Sequence, residues 1–312
     1  MFSDRQPRSF LDPAALARLA GVPLVARRPM VGSVSGRHAS PHRGSSVEFA
    51  EYRKYVPGDD LRRLDWRAFG RSDRFYVKEY EADTNLRLML VLDTSGSMAY
   101  HSIKPAAVPG VQPLSKLDYA RRICGGLGYL ASQQGDAVGI TCAAGGIVRS
   151  LPARRSPAHL RLVFDVLDEA APAGPTRLPD VLHELAETTR QRALVVIVSD
   201  LFMPPEDLAS AFGHLQFRRH DVAVFQLLDP QELAFDFQRP TRFLDLEGGG
   251  TIFADPIEIA DRYHQAVAAY LEQLRGIMLE TGVDYHRVAT DGPAEQVLAR
   301  FLVGRAAGRS LR

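Results

Sequence analysis

Residues 88–98 read LMLVLDTSGSM, an apolar run that ends on Asp93 and is followed by Ser95 and Ser97 at alternate positions. A segment this apolar is predicted to be a strand buried on both faces, as in parallel sheets covered by helices. By residue type alone, the carboxylate at its end has three readings: a nucleophile, a metal ligand or a helix cap.

The pattern continues outward from this stretch. Apolar runs at 137–143, 193–198, 222–228 and 283–288 are predicted as further strands. Between them, amphipathic spacing predicts helices at 116–134, 158–169, 178–190, 206–217, 256–281 and 293–302. Strands alternating with helices imply an α/β fold, a doubly wound and mostly parallel sheet flanked by helices. No internal repeat occurs.

Ligands of such sheets bind at the carboxyl ends of the strands. There the first strand supplies Asp93, Ser95 and Ser97, and ALVVIV (193–198) runs into Ser199-Asp200. The loop APAGPTRL (171–178) places Thr176 just before a helix. Two carboxylates and three hydroxyls form an all-oxygen set. It suits a hard divalent cation, Mg²⁺ or Mn²⁺, and disfavours zinc. Alternate positions leaving a strand can point to one side, so Asp93, Ser95 and Ser97 can converge, with Gly96 allowing a tight turn between them. A strand-terminal Asp-Ser pair on its own is often a helix cap.

Bulk properties narrow the class. With 312 residues, 46% hydrophobic and 24% charged, the chain has the composition of a soluble globular protein. Its net charge of +1 is uneven: residues 1–80 hold 15 Lys and Arg against 9 Asp and Glu, the remainder 23 against 28. Interleaved acids from Glu48 onward point to internal ion pairing; a basic arm carrying Arg27, Arg28, Arg37 and Arg43 leaves nucleic-acid binding as an alternative without any recognition motif. Cys124 and Cys142 lie in apolar contexts and read as buried free thiols of a reducing compartment. No signal peptide or membrane span is expected, which makes the cytoplasm the default. The expected organisation is a flexible basic arm (1–46) with one short helix at 13–20, a charged aromatic segment packing on the main domain (47–84), the α/β domain (85–304) and a tail (305–312).

At this point the sequence resembles a known module. DTSGS (93–97), Thr176 and Asp200 match, in order, the metal-ion-dependent adhesion site of von Willebrand factor A domains. The resemblance implies that Asp93, Ser95, Ser97, Thr176 and Asp200 hold Mg²⁺ (or Mn²⁺), with an Asp or Glu of a protein partner completing the coordination. Upstream, EFAEYRKYVPGDDLRRLDWRAFGR (48–71) and FYVKEYE (75–81) look like the signature of a bacterial family catalogued as domain of unknown function 58. LLDPQELAFDF (227–237) and FLDLEGG (243–249) are similar to it as well. Many members carry membrane helices ahead of this region, and no such stretch is seen here. Members look like companions of MoxR-type AAA+ ATPases, which implies a non-enzymatic adaptor or co-chaperone in the assembly of other proteins.

Bland roles compete at other positions. Trp66 is expected to pack on the domain while Arg62, Arg63 and Arg67 pair with acids. Asp229 and Glu232 are expected as turn and cap residues, the alternative being an acidic rim around the metal. His183 and His264 read as surface or core-edge residues. No HExxH, GxSxG or P-loop occurs. A Mg²⁺-dependent phosphatase using Asp93 as nucleophile is the enzymatic alternative, but such chemistry needs a second acid two residues on, where Ser95 stands, and no obvious phosphate-binding lysine accompanies it.

Overall fold

The computed structural model describes residues 8–27, 49–54, 76–80, 86–102 and 114–308. The chain divides into two units, residues 28–86 and the remainder. In the first, the described residues form β1 (Phe49–Lys54) and β2 (Tyr76–Tyr80), an antiparallel pair. β2 lies within the FYVKEYE stretch. Trp66 and its neighbouring arginines lie outside the described residues.

The larger unit is built on six strands: β3 (Arg87–Asp93), β4 (Ala137–Ala143), β5 (Ile147–Arg154), β6 (Leu194–Ser199), β7 (Asp221–Leu228) and β10 (Asp284–Ala289). Their order is β10-β7-β6-β3-β4-β5, all parallel except β5. β4, β6 and β7 are buried along their whole length, and β3 is buried from Leu88 onward. That is why they read as continuous apolar runs. β5 is the exception. It alternates half-buried and exposed residues on the sheet edge and contains Pro152, so no apolar run announced it.

Helices cover both faces, as expected for this fold class. On one face α4 (Leu178–Thr188), α5 (Pro205–Phe217) and the end of α7 (Pro256–Glu280) bury Val181, Leu182, Phe212, Leu215, Leu274 and Met278 against Met89, Val91, Val195 and Ile197. Each fully buried side chain of this size contributes roughly 1.5–3 kcal/mol. The other face carries α2 (Lys116–Gln133), α3 (Pro157–Glu169) and α8 (Ala294–Ala306).

Residues 8–27 correct the expected arm. They include α1 (Pro13–Leu19), capped by Asp12, and bury Phe10, Leu16 and Leu24. Two adjacent glycines of α2 admit close neighbours: a Cβ on Gly125 would stand 2.5 Å from the Phe10 ring, and one on Gly126 would stand 2.6 Å from Leu298 of α8 and 3.5 Å from Leu16. At the amino ends of the strands, Arg305 of α8 is buried and donates to Asp284 (2.8 Å), to Asp221 and to the carbonyl of Val25 (2.7 Å). Arg27 joins this network through Asp284 (2.5 Å). Arg27, like Arg8 with Asp165 (2.7 Å) and Asp168 (2.5 Å), is thus an internal ion-pair partner within the expected arm; Arg28, Arg37 and Arg43 lie outside the described residues.

Between β7 and α7 the chain forms α6 (Pro230–Ala234) and a hairpin of β8 (Thr241–Leu244) with β9 (Thr251–Ala254). Its base is held by aromatic packing: Phe243 stacks on Phe235, which in turn stacks on Tyr263 of α7.

Candidate functional site

The order in which strands are added reverses at β3, with β4 to one side and β6 to the other. In sheets of this kind ligands bind at the carboxyl ends of the strands that flank such a switch point, here β3 and β6. Asp93 is the last residue of β3, and Asp200 follows β6 directly. Both are buried.

The segment after Asp93 is tightly prescribed. Its Oδ1 accepts from the backbone N–H of Ser95 (2.9 Å) and its Oδ2 from the Ser199 hydroxyl (2.5 Å). Thr94 turns the other way and donates through its hydroxyl to the carbonyl of Ala143 (3.0 Å). A 3-10 turn over Gly96–Ala99 then brings the hydroxyls of Ser95 and Ser97 to 3.2 Å from each other. The hydroxyls at these two alternate positions therefore meet. The Thr176 loop is laced to this segment by backbone bonds, Gly96 N–H to Gly174 O (2.8 Å) and Ala173 N–H to Thr94 O (2.9 Å). Thr176 Oγ1 is buried without any hydrogen-bond partner. A buried hydroxyl left unpaired in this way costs about 1–3 kcal/mol.

Asp200 is held from behind. Its carbonyl accepts from the buried Gln226 amide (3.0 Å), and the next residue, Leu201, takes a left-handed φ of 60°. The Tyr270 hydroxyl of α7 clamps that turn, lying 2.8 Å from the carbonyl of Met203 and 3.3 Å from its N–H.

Lys116 was not foreseen. It is the first residue of α2, only 1% exposed, and its ammonium donates to Asp200 Oδ2 and Glu232 Oε1, both at 2.7 Å. It also lies over the rings of Phe202 (5.2 Å) and Tyr100 (5.7 Å). A lysine at the positive end of a helix opposes the macrodipole, and that conflict was the one signal available in the sequence. Burial pulls its pKa down, but Asp200 and Glu232 outweigh burial and the net shift is upward. Glu232 is itself shifted upward by burial, partly offset by Lys116. Asp229 and Glu232 form the capping box of α6, so the cap roles expected of them are present. Glu232 performs a second task at Lys116.

Charge is left over after this pairing. Lys116 pairs with Asp200 and Glu232, and Asp93 adds a further carboxylate near Asp200. Burial, then the nearby Asp200 carboxylate, push Asp93 up to about 6, against the pull of its bonds to Ser199 and Ser95. A divalent cation would relieve that excess. The donors present fit one: two carboxylates in Coulomb contact, two converged hydroxyls and a third hydroxyl with no partner. Among the described residues no three His, Cys, Asp or Glu side chains gather as a metal cluster, so the fit depends on the hydroxyls.

A fourth carboxylate enters from the hairpin tip. Glu247 Oε2 accepts from the Thr176 N–H (2.8 Å), a contact that spans 71 residues of sequence and had no local signature. Elsewhere, half-buried His183 shares a hydrogen bond with His214 (2.9 Å), and exposed His264 contacts the carbonyl of Ala234 (3.1 Å). Cys124 and Cys142 are free and buried, and burial pushes both thiols up, Cys142 to about 11. No described helix is long and apolar enough to cross a membrane.

The family model described as "Protein of unknown function DUF58" matches residues 51–272. The uncharacterized protein Rv1480 of Mycobacterium tuberculosis is 27% identical over 302 residues, covering 95% of this chain and 92% of that one. Among solved structures, an aerotolerance-related membrane protein from Bacteroides fragilis is 19% identical, with a TM-score of 0.44, covering 70% of this chain and 99% of the other. A von Willebrand factor type A structure from Catenulispora acidiphila is 11% identical, with a TM-score of 0.40, covering 72% and 43%.

Proposed function

We propose that this chain, which belongs to the family of unknown function DUF58, is a non-enzymatic binding module that recognises an acidic side chain of a protein partner through a divalent cation. Asp93, Ser95, Ser97, Thr176 and Asp200 would hold Mg²⁺ or Mn²⁺. Bound there, the ion would supply a Lewis-acidic position for a carboxylate from outside. The observation that carries this reading is the buried, unpartnered Thr176 Oγ1 on a loop bonded through its backbone to the segment that brings the Ser95 and Ser97 hydroxyls together.

The chain's own residues divide the work. Ser199 and the Ser95 N–H fix the Asp93 carboxylate, so its orientation is set before any ligand arrives. Lys116 engages one oxygen of Asp200 and limits how much negative charge that residue offers. Neutral hydroxyls as ligands would leave the ion short of electron density and receptive to a further oxygen. The partner class follows from the resemblance: a MoxR-type AAA+ ATPase in the cytoplasm, with this chain as adaptor or co-chaperone in protein assembly.

The phosphatase alternative gains a lysine in Lys116, but that ammonium is engaged by Asp200 and Glu232, and Ser95 still occupies the position of the general acid. The test is a pull-down from native lysate with wild type and Asp93→Ala, each in Mg²⁺ and in EDTA. An ATPase recovered only by wild type in Mg²⁺ is the expected result. Equal capture in EDTA would sink the reading.

A further inference from the structure

The tip of the β8–β9 hairpin touches both halves of the candidate site. On one side Glu247 accepts from the Thr176 N–H at 2.8 Å. On the other, the Leu246 carbonyl lies so close to Gly96 that a Cβ there would sit 2.0 Å from it. Only glycine at position 96 admits the tip.

The tip is shaped to present Glu247. Asp245 N–H bonds to Gly250 O (2.9 Å), and Glu247 N–H bonds to Asp245 Oδ1 (2.7 Å). Gly248 and Gly250 take φ of +100° and +107°, which favour glycine, and a Cβ on Gly249 would meet the Asp245 carboxylate at 2.0 Å. Beyond its aromatic base the hairpin is lightly held: Leu244 is 64% exposed, Ile252 70% and Phe253 74%. Few buried contacts would have to break for the tip to lift.

We propose that this hairpin is a built-in cover and that Glu247 is the chain's own carboxylate for the cation held by Asp93, Ser95, Ser97, Thr176 and Asp200. The inference rests on the cation reading above and adds to it a competitor within the same chain. A tethered carboxylate acts at an effective concentration in the millimolar range, so an incoming acidic side chain must displace it. An isolated acidic peptide would bind weakly, and a partner that also engages the hairpin would bind well.

The probe is Mn²⁺ alone, added to the full chain as wild type, Glu247→Ala, Glu247→Gln and Asp93→Ala. Binding is followed by electron paramagnetic resonance, and hydration of the bound ion by water-proton relaxation. Glu247→Gln keeps an acceptor for the Thr176 N–H and so separates charge from loop support. The expected result is Mn²⁺ binding to wild type but not to Asp93→Ala, with relaxation per bound ion raised in Glu247→Ala by about one coordinated water, since the ion fills its coordination with oxygen ligands. Glu247→Gln should fall between Glu247→Ala and wild type. Binding with identical relaxation in wild type and Glu247→Ala would overturn the cover while leaving the cation site standing. Absence of Mn²⁺ binding from wild type and from both Glu247 variants would overturn the site and the cover together.

Discussion

Replacing Lys116 by Met tests the charge balance of the site without disturbing its packing. Methionine fills much of the volume of the lysine stem, so the cavity contribution is small. The change removes an ammonium 2.7 Å from both Asp200 and Glu232, whose side chains are only 2% and 16% exposed. Breaking a buried pair from one side costs about 3–5 kcal/mol, because the partner charges stay behind uncompensated. For a domain of this size that corresponds to a Tm lower by roughly 2–4 °C for each kcal/mol. Urea unfolding at pH 7 in EDTA should therefore show a lower midpoint with an unchanged slope. The deficit should shrink in acid. Glu232 is shifted upward in the folded protein, by burial above all, and the loss of Lys116 raises it further. An acid with a raised folded pKa contributes stability below its unfolded value that is lost as pH rises through the folded one. The variant should accordingly approach wild type as pH falls toward 4.5, the ordinary value of Glu232. A Lys116→Met protein within 1 kcal/mol of wild type at pH 7 would refute the reasoning, which expects about 3–5.

Three further outcomes are expected. Asp93, pushed up to about 6 from 3.8, contributes stability below pH 3.8 that is lost as pH rises through 6, on the order of 3 kcal/mol; in EDTA, Asp93→Asn should flatten that part of the pH–stability curve, and an unchanged curve counts against the assignment. Thr176→Val replaces an unpaired hydroxyl with a methyl of similar shape, so apo stability should change by less than about 1 kcal/mol while Mn²⁺ affinity falls at least about tenfold. Calorimetric titration showing equal affinity would remove Thr176 from the ligand set. Arg305→Leu breaks the buried network with Asp221 and Asp284 and should cost about 3–5 kcal/mol in urea unfolding, with Mn²⁺ affinity of the folded protein unchanged.

What the sequence could reveal depended on whether a residue's role shows in its neighbours. β3, β4, β6 and β7 are buried on both faces, and a continuous apolar run is the direct imprint of that burial. β5, β8 and β9 expose alternate or most residues and are short or interrupted, so no run marks them. The meeting of the Ser95 and Ser97 hydroxyls just after Asp93 is a property of one turn and is visible as spacing. The partners Lys116–Asp200 and Glu247–Thr176 lie 84 and 71 positions apart, and only the folded topology joins them. Residues 8–27 misled for another reason. Pro, Gly and Arg suggested an arm, while the complementary signal, adjacent glycines inside α2, lay a hundred residues downstream. Each glycine costs roughly 1 kcal/mol in a helix interior, and close packing by Phe10 and Leu298 offsets it.

The Arg305 network bears on how the molecule can be cut. Val25, Arg27 and α8 are clasped to the first residues of β7 and β10, so the stretch before residue 28 and the stretch after residue 86 close into one body. In the language of modular engineering, residues 28–86 are a cassette spliced into a host whose two halves are already buckled together. A short flexible bridge from Arg27 to Arg87 should leave that host able to fold, with the Asp93 site intact, and would show which partners read the host and which read the cassette.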